Sequence, residues 1–137
     1  MRYLCIDPGD KRTGFAVGDD ITRIASPLEI VTTSSDEARL AQILRVVEEN
    51  EPGELVIGLP LNMDGSEGPQ AKKTRTLAQQ IEQRTGLRVH LFDERLTSYA
   101  AEFQLSELDL TRGEKKQRRD ALAAAVILRD FLERRGA

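Results

Sequence analysis

The sequence predicts an α/β protein built on a mixed five-stranded sheet flanked by helices, in the order βββαβαβα. Three short strand-like runs crowd the first 32 residues, too close together for a crossover helix, so they pair as an antiparallel meander. Beyond them, helical periodicity alternates with apolar runs, the pattern of parallel βα units. A length of 137 residues fits one domain, 1–137, with a real core and no room for a second.

Residues 2–7 make the first strand, through the apolar run Tyr3-Leu4-Cys5-Ile6 to Asp7. The turn Pro8 to Thr13 leads into a second strand, Gly14 to Gly18. A third spans Ile24 to Thr32, and Pro27 within it, which cannot donate to a ladder, assigns it to an edge. Ser34 with Glu37 three residues on reads as a capping box opening a helix to about Asn50. Leu40, Ile43, Leu44 and Val47 keep helical period as its buried stripe, and Pro52-Gly53 end it. Leu55-Val56-Ile57 is apolar throughout, as a central strand must be.

Gly58 to Pro69 is a glycine- and proline-bearing loop. A helix from about Gln70 to Thr85 follows, with Leu77 and Ile81 one turn apart and Gly86 as its stop. Residues 87–92 form the fifth strand. Thr97-Ser98 start a helix to about Leu108, Asp109 to Gly113 make a loop, and the last helix covers roughly 114–134.

Composition narrows the function classes. Hydrophobic content of 39% with 31% charged residues, no apolar run of membrane-spanning length and no signal-peptide layout predict a cytoplasmic protein without membrane contact. One cysteine, Cys5, and one histidine, His90, are too few for a zinc site, and both sit in apolar strands where packing explains them. The net charge of −3 hides a strong segregation. Residues 70–90 carry Lys72, Lys73, Arg75, Arg84 and Arg88 against Glu82 alone. Residues 112–119 carry Arg112, Lys115, Lys116, Arg118 and Arg119 against Glu114, whereas six acids outweigh Arg39 and Arg45 over residues 36–54. Either basic cluster by itself is an ordinary solvated face; together, beside acidic and glycine-rich segments, they suit a phosphate backbone.

Three carboxylates stand at three joints of the chain. Asp7 ends the first strand, Glu94 follows the fifth, and Asp120 opens the alanine-rich stretch Ala121 to Leu128. Singly, each is what strand ends and helix starts favour. Asp7 and Glu94 both belong to carboxyl ends of parallel strands, where open α/β sheets place ligands. Asp93, next to Glu94, points to the other side by strand alternation. Asp120 lies in line with Ala124, Ile127 and Phe131 on the stripe facing the sheet, and the alanines allow close approach. Converging acids repel one another, and a divalent cation relieves that repulsion.

Four segments resemble the signatures of the YqgF family: Ile6-Asp7-Pro8-Gly9-Asp10-Lys11-Arg12-Thr13-Gly14, Val56 to Gly65, Asp93-Glu94-Arg95-Leu96-Thr97-Ser98 and Asp120-Ala121-Leu122-Ala123-Ala124. They span nearly the whole chain in the family's order. The family consists of ribonuclease-H-like nucleases, described both as Holliday-junction resolvases and as nucleases maturing the 5′ end of the small-subunit (16S) ribosomal RNA precursor. The resemblance implies a ribonuclease-H-like fold with Asp7, Glu94 and Asp120 as catalytic, metal-holding acids. Thr13 departs from the aliphatic residue usual in the family, a change expected to affect packing in the turn only. The fourth carboxylate of related resolvases has no counterpart beyond neighbours such as Asp10 or Asp93, which leaves open whether one metal or two are held.

The expected chemistry is hydrolysis of a phosphodiester with Mg²⁺, or Mn²⁺ in its place, on hard oxygen ligands. Asp7, from the central strand, is expected to bridge, with Glu94 and Asp120 on the flanks. Lys11, Arg12, Asn62, Lys72, Lys73, Arg95, Lys115, Lys116, Arg118 and Arg119 are the candidate nucleic-acid contacts. The partner expected is a ribosomal RNA precursor or a branched DNA, bound by a monomer or weak homodimer. Two other classes compete. Asp7-Pro8-Gly9 with Gly14 resembles the phosphate loop of actin- and sugar-kinase-type ATPases, but those need two such domains around ATP, and Gly14 is followed by Phe15-Ala16, not a Walker Lys-Ser/Thr. A non-catalytic nucleic-acid-binding module would have no need of the three acids.

Overall fold

The computed structural model describes residues 1–96 and 112–135, with side chains described for 1–95 and 122–135. Strands β1 (Arg2–Pro8), β2 (Arg12–Asp19) and β3 (Ala25–Thr32) form the meander. Helix α1 (Asp36–Asn50), β4 (Glu54–Leu59), α2 (Pro69–Thr85), β5 (Val89–Asp93) and α3 (Arg112–Arg135) complete the described elements. The strands lie in the order β3-β2-β1-β4-β5. β1 pairs antiparallel with β2 and parallel with β4, and β4 runs parallel with β5. This is the mixed sheet the sequence predicts, with Pro27 on the edge strand β3. The helix predicted from Thr97 to Leu108 lies outside the described residues.

Strand alternation splits the core in two. Leu4 and Ile6 of β1 pack with Ile57, Ile43, Val46 and Ile81 under α1 and α2. Tyr3, Cys5, Val56 and Phe92 point the other way and pack with Ala124, Ile127 and Leu128 of α3. Leu4, Ile6, Ile43, Ile57, Ile81 and Leu128 are fully buried, each contributing about 1.5–3 kcal/mol by removal from water. At the amino end of the sheet, His90 Nε2 stands 2.7 Å from Glu54 Oε1, confirming a structural role for the lone histidine. The Arg135 guanidinium lies 5.9 Å from the Tyr3 ring centre and 5.8 Å from that of Phe131, fastening the end of α3 there. No described helix is long and apolar enough to cross a membrane.

Several local expectations change. The N-cap of α1 is Ser35, whose Oγ accepts from Ala38 N at 3.1 Å, so Ser34–Glu37 is not a capping box. The buried stripe of α1 uses Val46 where the sequence suggested Leu44. Its C-terminal cap is Glu51, left-handed at φ 48°, one residue before Pro52-Gly53. Helix α3 begins at Arg112 and takes in Gly113, two residues earlier than predicted. Thr13 lies inside β2, opposite Pro8, and is fully buried. Its hydroxyl has no hydrogen-bond partner among the described residues, so the substitution reaches the core and is not confined to the turn.

Candidate active site

Asp7 is the last inward residue of the α3-facing row Tyr3-Cys5-Asp7 on the central strand. It is half-buried, at the carboxyl end, where β1 opens into the turn Pro8–Lys11. Its partner on β2 is Gly14. On the other side Ile6 pairs with Ile57, so continuing that register sets Asp7 beside Gly58. The carboxylate therefore stands between two positions that have no side chain. Neither neighbour places a Cβ beside it.

Glu94 enters this space from the third strand. It is the first residue after β5, on a 3-10 turn Glu94–Leu96. A Cβ built on Gly58 would meet Glu94 Oε1 at 2.5 Å, Glu94 Cγ at 3.1 Å and Ile127 Cδ1 at 3.0 Å. Glycine at 58 is thus what lets the Glu94 side chain lie over β4. Cys5 reports the proximity of both acids. Its thiol is pushed well above the usual value, first by complete burial and then by the negative charges of Asp7 and Glu94.

The third acid, Asp120, belongs to α3, but its side chain lies outside the described residues. One turn further on, Ala124 is fully buried against the sheet, followed by Ile127 at 3% exposure. Among the described residues no group of three His, Cys, Asp or Glu could hold a metal ion. The described pair nevertheless suits a hard divalent cation. Both groups are carboxylates, and at Gly58 the Glu94 side chain takes the space a Cβ would need.

Of the predicted cationic contacts, Lys11 and Arg12 border a hollow of about 340 Å³ together with Asp7 and Gly14. Hydrogen bonds Gly9 N–Arg12 O (2.7 Å) and Thr33 N–Lys11 O (2.9 Å) hold their turn. Lys72 and Lys73 are exposed on α2 and border a separate hollow on the other side of that turn. Arg95 is engaged within the chain. Its guanidinium grips Asp93, with Nη2–Oδ2 at 2.7 Å, and donates to the Met63 carbonyl at 3.2 Å. That contact holds the Asp93 carboxyl below its usual range. Asn62 is exposed, but its amide Nδ2 donates to Ser66 Oγ at 3.0 Å, and Ser66 Oγ to Asp64 Oδ1 at 2.6 Å. Both residues therefore shape the loop between β4 and α2, with their polar groups already partnered. The side chains of Lys115, Lys116, Arg118 and Arg119 lie outside the described residues.

Sequence reasoning takes Gly58 as the start of a loop, Gly58 to Gly68, able to admit a nucleic-acid backbone, and misses that this glycine makes room for the Glu94 side chain. The available signal was a glycine continuing the apolar run Leu55-Val56-Ile57, which marks close approach when found inside a strand. It also missed Arg39, discussed below, because that residue sits among the acids of α1.

Residues 1–134 match the family model described as "RuvX: Holliday junction resolvase". A protein of Anaeromyxobacter sp. named "Putative pre-16S rRNA nuclease" is 47% identical over 137 residues, covering 100% of both chains. A Chloroflexus aurantiacus protein of the same name is 41% identical over 132 residues, covering 96% of this chain and 86% of its own. Among solved structures, Thermus thermophilus RuvC in complex with a Holliday junction substrate has a TM-score of 0.63 at 20% identity, covering 100% of this chain and 98% of its own. The fowlpox virus Holliday junction resolvase reaches 0.62 at 11%, covering 98% and 99%. At those identities the likeness is one of fold: the ribonuclease-H-like sheet shared with RuvC-type resolvases.

Proposed function

The chain belongs to the RuvX/YqgF family, and from that premise we propose that it is a divalent-metal-dependent nuclease acting in 5′-end maturation of the 16S ribosomal RNA precursor. The observation that carries the reading is the Asp7–Gly58–Glu94 arrangement: two carboxylates brought together over a strand whose side chain is missing at the point of contact. A zinc centre would call for thiolate or imidazole ligands, and the chain has one cysteine and one histidine. Asp7 and Glu94, with Asp120 from α3, would hold Mg²⁺ or Mn²⁺. Such an ion supplies a polarised water and charge stabilisation on the leaving oxygen of a phosphodiester.

The chain's own residues account for placement of the substrate. The hollow bordered by Asp7, Gly9 and Gly14 admits a sugar-phosphate backbone close to the main chain. Lys11 and Arg12, at the rim of the same hollow, neutralise phosphates there and fix the register of the strand being cut. Arg95 contributes by holding the Met63 segment against the β5 end beside Glu94.

Relatives named for pre-16S rRNA favour the RNA substrate, while the family description favours a four-way DNA junction. A cleavage assay with both substrates, run with Mg²⁺ and with chelator, separates the two. Metal-dependent shortening of the precursor RNA at its 5′ end, with the junction left intact, is the expected result. Junction-selective cleavage would transfer the assignment to DNA recombination. Binding without cleavage of either would leave a non-catalytic module.

A further inference from the structure

We infer that the groove between the Pro8–Lys11 turn and helices α1 and α2 is a second nucleic-acid contact, which takes the single strand leading away from the catalytic carboxylates. The inference rests on the nuclease reading and adds a path to it. Three hollows adjoin around the turn. The one holding Asp7 shares Asp10 and Lys11 with a larger one of about 630 Å³, and this shares Asp10, Asp36, Arg39 and Lys73 with a third of about 330 Å³. The path begins on the α3 side of the sheet at Asp7, crosses the carboxyl edge over Lys11, and ends along α2 on the opposite side.

Arg39 marks the middle of this path. Its Nη2 donates to the Asp10 carbonyl at 2.7 Å, the only side-chain hydrogen bond it makes among the described residues. Its Nε is buried with no acceptor among the described residues. Among those residues Arg39 forms no ion pair with a carboxylate. A guanidinium fixed by one carbonyl keeps most of its five donors and its full charge for something else. Lys11, Lys72 and Lys73 line the same hollows, and against these four cations stand two acids, Asp10 and Asp36. The excess is positive, in a region of helix α1 whose sequence is acidic overall.

Lys72 and Gln80, both at the far hollow, are eight residues apart on α2. At ~1.5 Å per residue that is about 12 Å of track. α1 and α2 pack against each other beneath the groove. The serine and threonine side chains around the α1 start, Thr33 to Ser35, offer hydroxyls to sugar and phosphate without reading sequence.

The test is a length ladder of single-stranded oligonucleotides of roughly 4 to 16 nucleotides, bound at several salt concentrations. Wild type is compared with the double variant Lys72→Gln/Lys73→Gln, whose exposed positions leave α2 intact, and with Arg39→Gln. Wild-type affinity should keep rising for a further few nucleotides beyond the length at which the double variant levels off. The double variant should also lose roughly 0.7 in salt slope per contact removed. Identical length dependence and salt slope in wild type and the double variant would overturn the track. So would a wild type that binds no single strand at all; cleavage of precursor RNA or junction by that same preparation would leave the nuclease reading standing.

Discussion

Gly58 and Glu94 occupy what would otherwise be one volume: a Cβ on residue 58 would stand 2.5 Å from Glu94 Oε1. The position of the glutamate side chain therefore depends on a missing methyl group one strand away. In Gly58→Ala the flexible carboxylate end must move, while Ile127 Cδ1, at 3.0 Å, yields by a few tenths of an ångström. The variant should fold with a stability loss of about 1 kcal/mol or less, yet lose metal affinity at least tenfold. Thermal melts together with Mn²⁺ titration check both halves. A variant that keeps full metal affinity would show that Glu94 is not held by the space above residue 58.

Thr13→Val should stabilise the protein by about 1 kcal/mol. The Thr13 hydroxyl is buried with no partner among the described residues, and an unpaired buried donor and acceptor cost about 1–3 kcal/mol. Urea unfolding at constant m-value measures the gain. A destabilised valine variant would mean that the hydroxyl is paired in solution.

The Glu54–His90 contact predicts an acid-side loss of stability. Hydrogen bonding from His90, the largest influence, holds the Glu54 carboxyl below its usual range. A depressed carboxylate stabilises fully above its unfolded pKa of about 4.3, and that stability disappears as pH falls through the lower folded value. Glu54→Gln should cost about 1–2 kcal/mol at neutral pH, a deficit that shrinks as pH falls through the lowered folded value of Glu54. Melting curves across that range test the sign: an equal deficit at both ends would place the effect in packing.

The segment Lys115-Lys116-Gln117-Arg118-Arg119 precedes Asp120 on α3. Changing Lys115, Lys116 and Arg118 to Gln should weaken binding of all sequences alike and flatten the salt dependence by roughly 0.7–0.9 per lost contact. Metal affinity should hardly move. An unaltered salt slope with cleavage intact would identify the run as a solvated helix start.

Strand order, the edge position of β3 and the two carboxyl-end acids could all be read from the chain, because period-two alternation and short gaps admit few topologies. What could not be read lies in contacts between distant segments. Ser34 and Ser35 are equally good caps in sequence, and only the entry of the chain from β3 selects Ser35. Arg95 has the composition of a phosphate ligand, but the 3-10 turn folds it back onto Asp93 two residues earlier. Arg39 is hidden among acids in the sequence and becomes conspicuous only where α1 meets the Asp10 carbonyl.

The central claim is that Asp7 and Glu94 share a metal ion. Calorimetric titration of Mn²⁺ into wild type, Asp7→Asn and Glu94→Gln tests it without relying on a substrate. Wild type should bind, and each variant should bind at least tenfold more weakly while melting within a few degrees of wild type. Unchanged Mn²⁺ affinity in either variant would remove that residue from the site and contradict the account.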